Sequence, residues 1–115
     1  MSTDAKYFPS DSEKLMSITR DGPVFILTML DGENRFTTEF CAGICDALDY
    51  ITDVVDKEGL TEAALVTRGG SEKFYSNGLH MEKALVVPGF PEEIFMPMLN
   101  KILLFTLPTV ACING

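Results

Sequence analysis

Lys73-Phe-Tyr-Ser-Asn-Gly-Leu-His-Met-Glu-Lys83 is the stretch around which the rest of the chain is organised. It follows a strand-like run, Ala63-Ala-Leu-Val-Thr67, and a flexible Arg68-Gly-Gly-Ser71. Gly78 lets the backbone take torsions that other residues avoid and lets a ligand come close. Leu79-His-Met-Glu-Lys-Ala-Leu85 then reads as the beginning of a short helix. A helix start exposes unpaired N–H groups with a partial positive charge, which suits an oxyanion or a phosphate. Strand, glycine turn and helix start together describe an anion cradle, although the same pattern is more often an ordinary strand-to-helix loop.

Upstream, Leu15-Met-Ser-Ile-Thr19 and Val24-Phe-Ile-Leu-Thr-Met-Leu30 flank Arg20-Asp-Gly-Pro23, and an Asp-Gly pair between apolar runs predicts a hairpin. The second run is apolar almost throughout, as expected of a strand covered on both faces. Asp31-Gly-Glu-Asn-Arg-Phe36 is a loop, and Thr37 or Thr38 caps the helix after it. Phe40, Ile44, Leu48, Ile51 and Val55 recur every three or four residues and form that helix's apolar stripe. Glu39, Asp46, Asp49 and Asp53 fall mostly elsewhere, on a solvated face, and Gly59 is the stop. Downstream, Val86-Val-Pro-Gly-Phe-Pro91 breaks the pattern and Pro91 starts a new helix, with Ile94, Phe95, Met98, Leu99, Ile102 and Phe105 on its apolar side. Pro97 either kinks that helix or marks its true beginning. Met96 and Met98 read as core filler in preference to an adaptable acyl pocket. Thr109-Val-Ala-Cys-Ile-Asn114 is a final strand. Hairpin, helix, strand, helix, strand implies an α/β fold with right-handed crossovers.

With 115 residues the chain is at most one domain, and residues 1–14 read as a polar, loosely ordered lead-in. Nine basic against seventeen acidic residues give a net charge of −8 with no basic run, which argues against a nucleic-acid partner. Nothing in the chain is long and apolar enough to suggest a membrane span, and the first ten residues carry no leader pattern. Cys41, Cys45 and Cys112 are an odd set without a secretory signal, hence reduced thiols in an intracellular protein. Cys41 and Cys45 share a helix face at a spacing that suits a metal. No second pair completes a site, so they read as small buried residues and no metal is expected.

From about Ile18 to Gly115 the chain resembles the N-terminal half of the enoyl-CoA hydratase/isomerase (crotonase) superfamily. Three motifs carry the resemblance, in order. Asp31-Gly-Glu-Asn-Arg-Phe36 is similar to the loop after the first buried strand in plant and fungal Δ3,Δ2-enoyl-CoA isomerases. Lys73-Phe-Tyr-Ser-Asn-Gly-Leu79 resembles the family's Phe-x-x-Gly-x-Asp loop in an isomerase-like spelling. Leu107-Pro-Thr-Val-Ala-Cys-Ile-Asn-Gly115 resembles the strand entering the family's second glycine-rich turn.

The resemblance implies a crotonase-like (ClpP/crotonase) ββα spiral fold, incomplete at the C-terminus, with residues 15–115 as the front part of an acyl-CoA-binding domain. It implies that the backbone N–H of Leu79 is the first donor of an oxyanion hole, the kind of electrostatic stabiliser that usually contributes most to catalysis. Glu33 and Arg35 would meet the CoA, and Asn77, Gly78, His80 and Met81 flank the donor. Arg35 is either a partner for a CoA phosphate or an exposed loop arginine, and Lys73 and Lys83 are further candidates for that charge.

The chain departs from the family pattern at His80, where an aspartate is common; it is not read as a general base. Cys112 is not at a catalytic position, and Glu72 and Glu82 read as surface charges. The second oxyanion donor and the proton-moving carboxylate are expected beyond Gly115, so the segment itself is expected to be inactive. Three functions follow as expectations: the front of a Δ3,Δ2-enoyl-CoA isomerase in fatty-acid β-oxidation, a hydratase of the same superfamily, or a non-catalytic chain that associates with a partner through the 109–114 strand and the 94–105 helix. No cofactor is expected, since coenzyme A is part of the substrate. A trimer or hexamer is implied for the whole protein. Its implied location is peroxisomal, with cytoplasm or mitochondrion as the alternatives.

Overall fold

The computed structural model describes residues 4–114, so Gly115 at the end of the third motif and Met1–Thr3 of the lead-in lie outside the described residues. A five-stranded sheet has its strands in chain order: β1 (Lys6–Pro9), β2 (Lys14–Asp21), β3 (Val24–Met29), β4 (Ala64–Gly69) and β5 (Thr109–Cys112). The β1–β2 and β2–β3 pairs are antiparallel, and β3–β4 and β4–β5 are parallel. The predicted hairpin is present, with Asp21 opposite Val24 so that Gly22 and Pro23 make the loop. The α/β class expected from the element order is the one observed.

Register explains the core. Met16 lies opposite Met29 and Ile18 opposite Leu27, while Phe25 sits beside Leu65. Side chains alternate along a strand, so all six point to one face, and all six are buried there. The helix α1 (Thr38–Glu58) covers this face with Phe40, Cys41, Ile44, Ala47, Leu48 and Ile51. Thr37 is its cap, the hydroxyl accepting the Phe40 N–H at 3.1 Å. At the far end the helix closes on Gly59, and Leu60 N–H returns to the Val55 carbonyl at 3.1 Å. Asp46, Asp49 and Asp53 are exposed, as the stripe predicts. The opposite face of the sheet is thinner: Val24 and Ile26 are half-buried and Leu30 is exposed, so β3 is covered fully on one side only.

Three expectations change. Residues 6–9 are not a loose lead-in but the edge strand β1, paired from Lys6 opposite Ile18 to Phe8 opposite Met16. The cause is Phe8, which is buried and packs its ring 5.6 Å from that of Tyr50 on α1. Apolar burial of this aromatic, together with the ladder to β2, favours ordering of the stretch. The helix predicted from Leu79 begins two residues later, as α2 (Met81–Leu85), with His80 as its cap: the imidazole Nδ1 accepts the Lys83 N–H at 3.4 Å. Finally, Pro91 opens a π-helical turn (Phe90–Phe95), and only then does α3 (Met96–Leu103) begin, with Pro97 in its first turn. Pro97 therefore marks a beginning, consistent with its missing N–H being tolerated only there. Met98 is fully buried on α3, whereas Leu99, Ile102, Leu103 and Leu104 are exposed.

Candidate functional site

Because β3 and β4 are parallel neighbours, the segments that follow them leave the sheet at the same end, where ligands of open α/β sheets bind. Two of the sequence motifs thereby become one structure. The 31–36 loop and the 75–80 segment run side by side, joined by a parallel bridge between Phe36 and Leu79. Phe36 N–H donates to the Gly78 carbonyl at 2.8 Å, His80 N–H to the Phe36 carbonyl at 3.1 Å, and Asn77 N–H to the Glu33 carbonyl at 2.8 Å. Gly78 makes the corner with φ 79°, a torsion that favours glycine.

Leu79 sits in the middle of this lattice. Extended backbone points successive N–H groups to opposite sides, so the neighbours that face Phe36 leave the Leu79 N–H facing away. Gly78 N–H is taken by the Ser76 hydroxyl at 3.2 Å and His80 N–H by Phe36. Among the described residues the Leu79 N–H makes no hydrogen bond. It is a backbone donor held in place by its engaged neighbours, which is the property an oxyanion site requires. The helix start contributes little to it: α2 is five residues long and lies beyond Leu79, so the expected helix-dipole part of the cradle is not present.

The residue that ties the loops together is one the sequence reasoning passed over. Asn34 is fully buried at φ 52°, and its carboxamide oxygen accepts Asp31 N–H at 2.9 Å while its Nδ2 donates to the Tyr75 carbonyl at 2.8 Å. Its own carbonyl accepts the Ser76 hydroxyl at 2.7 Å. Tyr75 is held further by a 2.6 Å contact between its hydroxyl and that of Thr67 on β4. The loop can lie this close to the sheet because Gly69 has no side chain; a Cβ there would run into the Phe74 carbonyl oxygen and come within 3.0 Å of the Tyr75 Cα.

Glu33, Arg35 and Asn77 form a cluster on the outer side. Glu33 accepts Asn77 Nδ2 at 2.7 Å and Arg35 Nη2 at 3.1 Å, and these donors, Asn77 first, hold its carboxyl below the usual range. Arg35 Nη1 reaches the carbonyls of Asn77 and Leu79, each at 3.4 Å. The guanidinium thus clamps the turn that presents Leu79. A polar recess of about 390 Å³ opens beside it and is lined by Asp31, Glu33, Arg35, Glu39, His80 and Lys83, among others. Lys83 therefore faces the same recess as Arg35, whereas Lys73 lies over the Phe74 ring at 5.4 Å. Met81 is exposed at the start of α2. On the inner side, Tyr75 and Ser76 also border an apolar cavity of about 180 Å³, closed by Leu27, Leu65, Phe36 and Ile102. Neither Met96 nor Met98 lines it.

Cys41 is buried, and desolvation pushes its thiol up to about 11. Cys45 is pushed up for the same reason. Among the described residues no group of His, Cys, Asp and Glu is placed to hold a metal ion, and no helix is long and apolar enough to cross a membrane.

No protein-family model matches the chain, and no curated protein sequence matches it. Solved structures do. The fold is similar to that of an enoyl-CoA hydratase/carnithine racemase from Magnetospirillum magneticum, with a TM-score of 0.73 at 14% identity over 90% of this chain and 40% of that one. An enoyl-CoA hydratase from Thermoplasma volcanium GSS1 matches with a TM-score of 0.69 at 16% identity over 90% and 42%. An enoyl-CoA hydratase/isomerase from Pseudoalteromonas atlantica T6c matches with a TM-score of 0.68 at 19% identity over 89% and 39%. At such identities the likeness is one of fold. The chain has the α/β fold of the N-terminal part of crotonase-fold proteins and spans about two fifths of the length of these structures.

Proposed function

We propose that this chain supplies the first oxyanion donor of an acyl-CoA enzyme, with the Leu79 N–H donating a hydrogen bond to a thioester carbonyl oxygen. The observation that carries the reading is the spare Leu79 N–H, flanked by the engaged amides of Gly78 and His80 on a glycine corner. Removing a proton from C2 of an acyl thioester puts negative charge on that oxygen. A fixed donor stabilises the charge without having to reorganise. Arg35 and Lys83 lie at the recess beside the donor, where a CoA phosphate would find two cations, with Glu33, Asn77, His80 and Met81 as the neighbouring contacts. The apolar cavity behind Tyr75 and Ser76 offers room for the end of a short acyl chain.

Within this class the reaction is the shift of a Δ3 double bond to Δ2, in which a carboxylate carries a proton from C2 to C4. The isomerase-like spellings of the 31–36 loop and of Ser76-Asn-Gly-Leu79 favour it over hydration, which would use the same first donor. Glu72 and Glu82 are both exposed and take no part, so on the resemblance the carboxylate belongs to a later part of the fold, as does the second donor. The same resemblance brings β-oxidation, a peroxisomal setting and a trimeric or hexameric assembly with it.

Calorimetry with butyryl-CoA tests the site on this chain. Leu79→Pro deletes the donor and should abolish binding, whereas Leu79→Ala keeps the N–H and should bind. Equal binding by the proline variant, with a folded circular-dichroism spectrum, would refute the assignment.

A second reading, association with a polypeptide partner, is favoured by one surface. Leu103, Leu104, Val110 and Ile113 are 79%, 67%, 56% and 71% exposed along α3 and the edge strand β5 and just beyond each. An apolar face beside an open strand edge fits a segment that adds a strand to β5 and covers α3. Leu103→Glu with Leu104→Lys should then remove the association in sedimentation without changing butyryl-CoA binding.

A further inference from the structure

We propose that Ser76 is a positioning residue that aims the Leu79 N–H, acting through Asn34 on one side and Gly78 on the other. The ligand is the thioester of the acyl-CoA reading above; the latch itself rests on geometry alone. Ser76 Oγ donates to the Asn34 carbonyl at 2.7 Å and accepts the Gly78 N–H at 3.2 Å. A hydroxyl has one donor and two lone pairs, so one side chain serves both partners.

Two consequences follow. First, the link spans 42 residues of sequence and ties the corner after β4 to the loop after β3. The Asn34 end is rigid, because its carboxamide is buried and both its polar atoms are engaged with backbone. Second, the latch removes a competitor. Gly78 N–H is the amide next to the donor, and a glycine at φ 79° is the residue freest to swing. Left unbonded, it would offer the thioester oxygen an alternative partner one residue out of place. With Gly78 on Ser76, His80 on Phe36 and Asn77 on Glu33, the Leu79 N–H is the one amide of residues 77–80 without a hydrogen bond among the described residues.

The test uses the whole 115-residue chain. Amide exchange is followed by NMR in the free protein, and butyryl-CoA is the probe for calorimetry and for the infrared band of its thioester carbonyl. In Ser76→Ala the Gly78 amide should exchange about tenfold faster, the size expected for one lost hydrogen bond. Butyryl-CoA should bind about tenfold more weakly, and its carbonyl band should move back toward the value in water. Ser76→Thr keeps the hydroxyl and should restore all three, which a purely steric role for the side chain would not predict. Unchanged Gly78 exchange in Ser76→Ala overturns the latch. So does a Ser76→Ala variant that exchanges faster yet binds butyryl-CoA with an unaltered band, because Leu79 would then be aimed by other means. A wild-type chain that shows the Gly78 protection but ignores butyryl-CoA overturns the acyl-CoA reading while supporting the latch as a device of the loop.

Discussion

Replacing Asn34 tests the geometry of the whole site. Asn34→Ala removes two side-chain bonds, to Asp31 N–H and to the Tyr75 carbonyl, and asks alanine to hold φ 52°. Tyr75 is half-buried, so its abandoned carbonyl costs about 1–3 kcal/mol. Asp31 is exposed and water can take over its N–H, which keeps that loss near the low end of about 1 kcal/mol. The left-handed torsion adds roughly 1–2 kcal/mol for a residue with a Cβ and no local side-chain bond. The sum is about 3–6 kcal/mol, a large share of the roughly 5–15 kcal/mol that holds a domain together.

Two further variants at this position separate the causes. Asn34→Gly accepts the torsion freely and should be milder than alanine by about 1 kcal/mol. Asn34→Asp keeps the acceptor for Asp31 N–H but turns a carboxylate oxygen toward the Tyr75 carbonyl. That buried carboxyl should be raised above its unfolded value, so its stability is present in acid and is lost as pH rises through the folded pKa. The assay is urea unfolding by circular dichroism, comparing midpoints at constant m-value. A cost for Asn34→Ala below about 1 kcal/mol, or a glycine variant less stable than alanine, would refute the staple and with it the claim that the loops are held from beneath.

Other substitutions and titrations probe separate features. Gly69→Ala should cost at least the roughly 1–3 kcal/mol of overpacking and weaken butyryl-CoA binding, because its Cβ displaces the Phe74–Tyr75 backbone; a variant as stable as wild type would mean the loop does not lie on β4. The Cys41 thiol is raised to about 11, so the unfolded chain ionises first. Stability should then be intact below about pH 9 and fall between there and pH 11, by up to about 2 kcal/mol from this thiol, and Cys41→Ala should make the slope shallower in denaturant titrations, with the raised Cys45 thiol supplying part of what is left. Thiol labelling under native conditions should modify exposed Cys112 first and buried Cys41 only on unfolding; rapid labelling of Cys41 would contradict the packing of α1 on the sheet.

What was legible in the sequence was whatever a local period or a single special residue encodes. The hairpin shows in Asp21-Gly22 between apolar runs, and α1 in its stripe from Phe40 to Ile51, with Thr37 or Thr38 as the start and Gly59 as the stop, and the structure selects Thr37. The start of α3 at Pro97 was readable as one of two options. The position of the glycine corner was readable too, since Gly78 has few other uses between a strand and a helix. Asn34 was not readable. In Asp-Gly-Glu-Asn it looks like one more polar turn residue, and its burial depends on Tyr75 and Ser76, more than forty positions away. Its one local hint is that asparagine tolerates positive φ better than most residues. Residues 6–9 were missed for a similar reason, because the partners of Phe8 are Met16 across the ladder and Tyr50 on a helix yet to come.

The same distinction bears on what the chain does. Apart from the Thr67 hydroxyl of β4 that holds Tyr75, the bonds around the Leu79 N–H come from residues 31–36 and 75–80, and the two segments meet because β3 and β4 are parallel neighbours. Neither β5 nor α3 contributes a hydrogen bond to that lattice, although Asn114 does donate to the Ser71 carbonyl at 2.7 Å beside it. The exposed apolar face and the candidate donor are therefore carried by different parts of the fold. Covering the face with further polypeptide would bury Leu103, Leu104, Val110 and Ile113 without needing to move Leu79. A ligand-free rearrangement of the donor would instead have to break the Asn34 and Ser76 bonds. The candidate donor is built into the loops that follow β3 and β4, whereas the exposed apolar face lies along α3 and β5, so changes at Leu103 and Leu104 should leave the bonds around Leu79 intact.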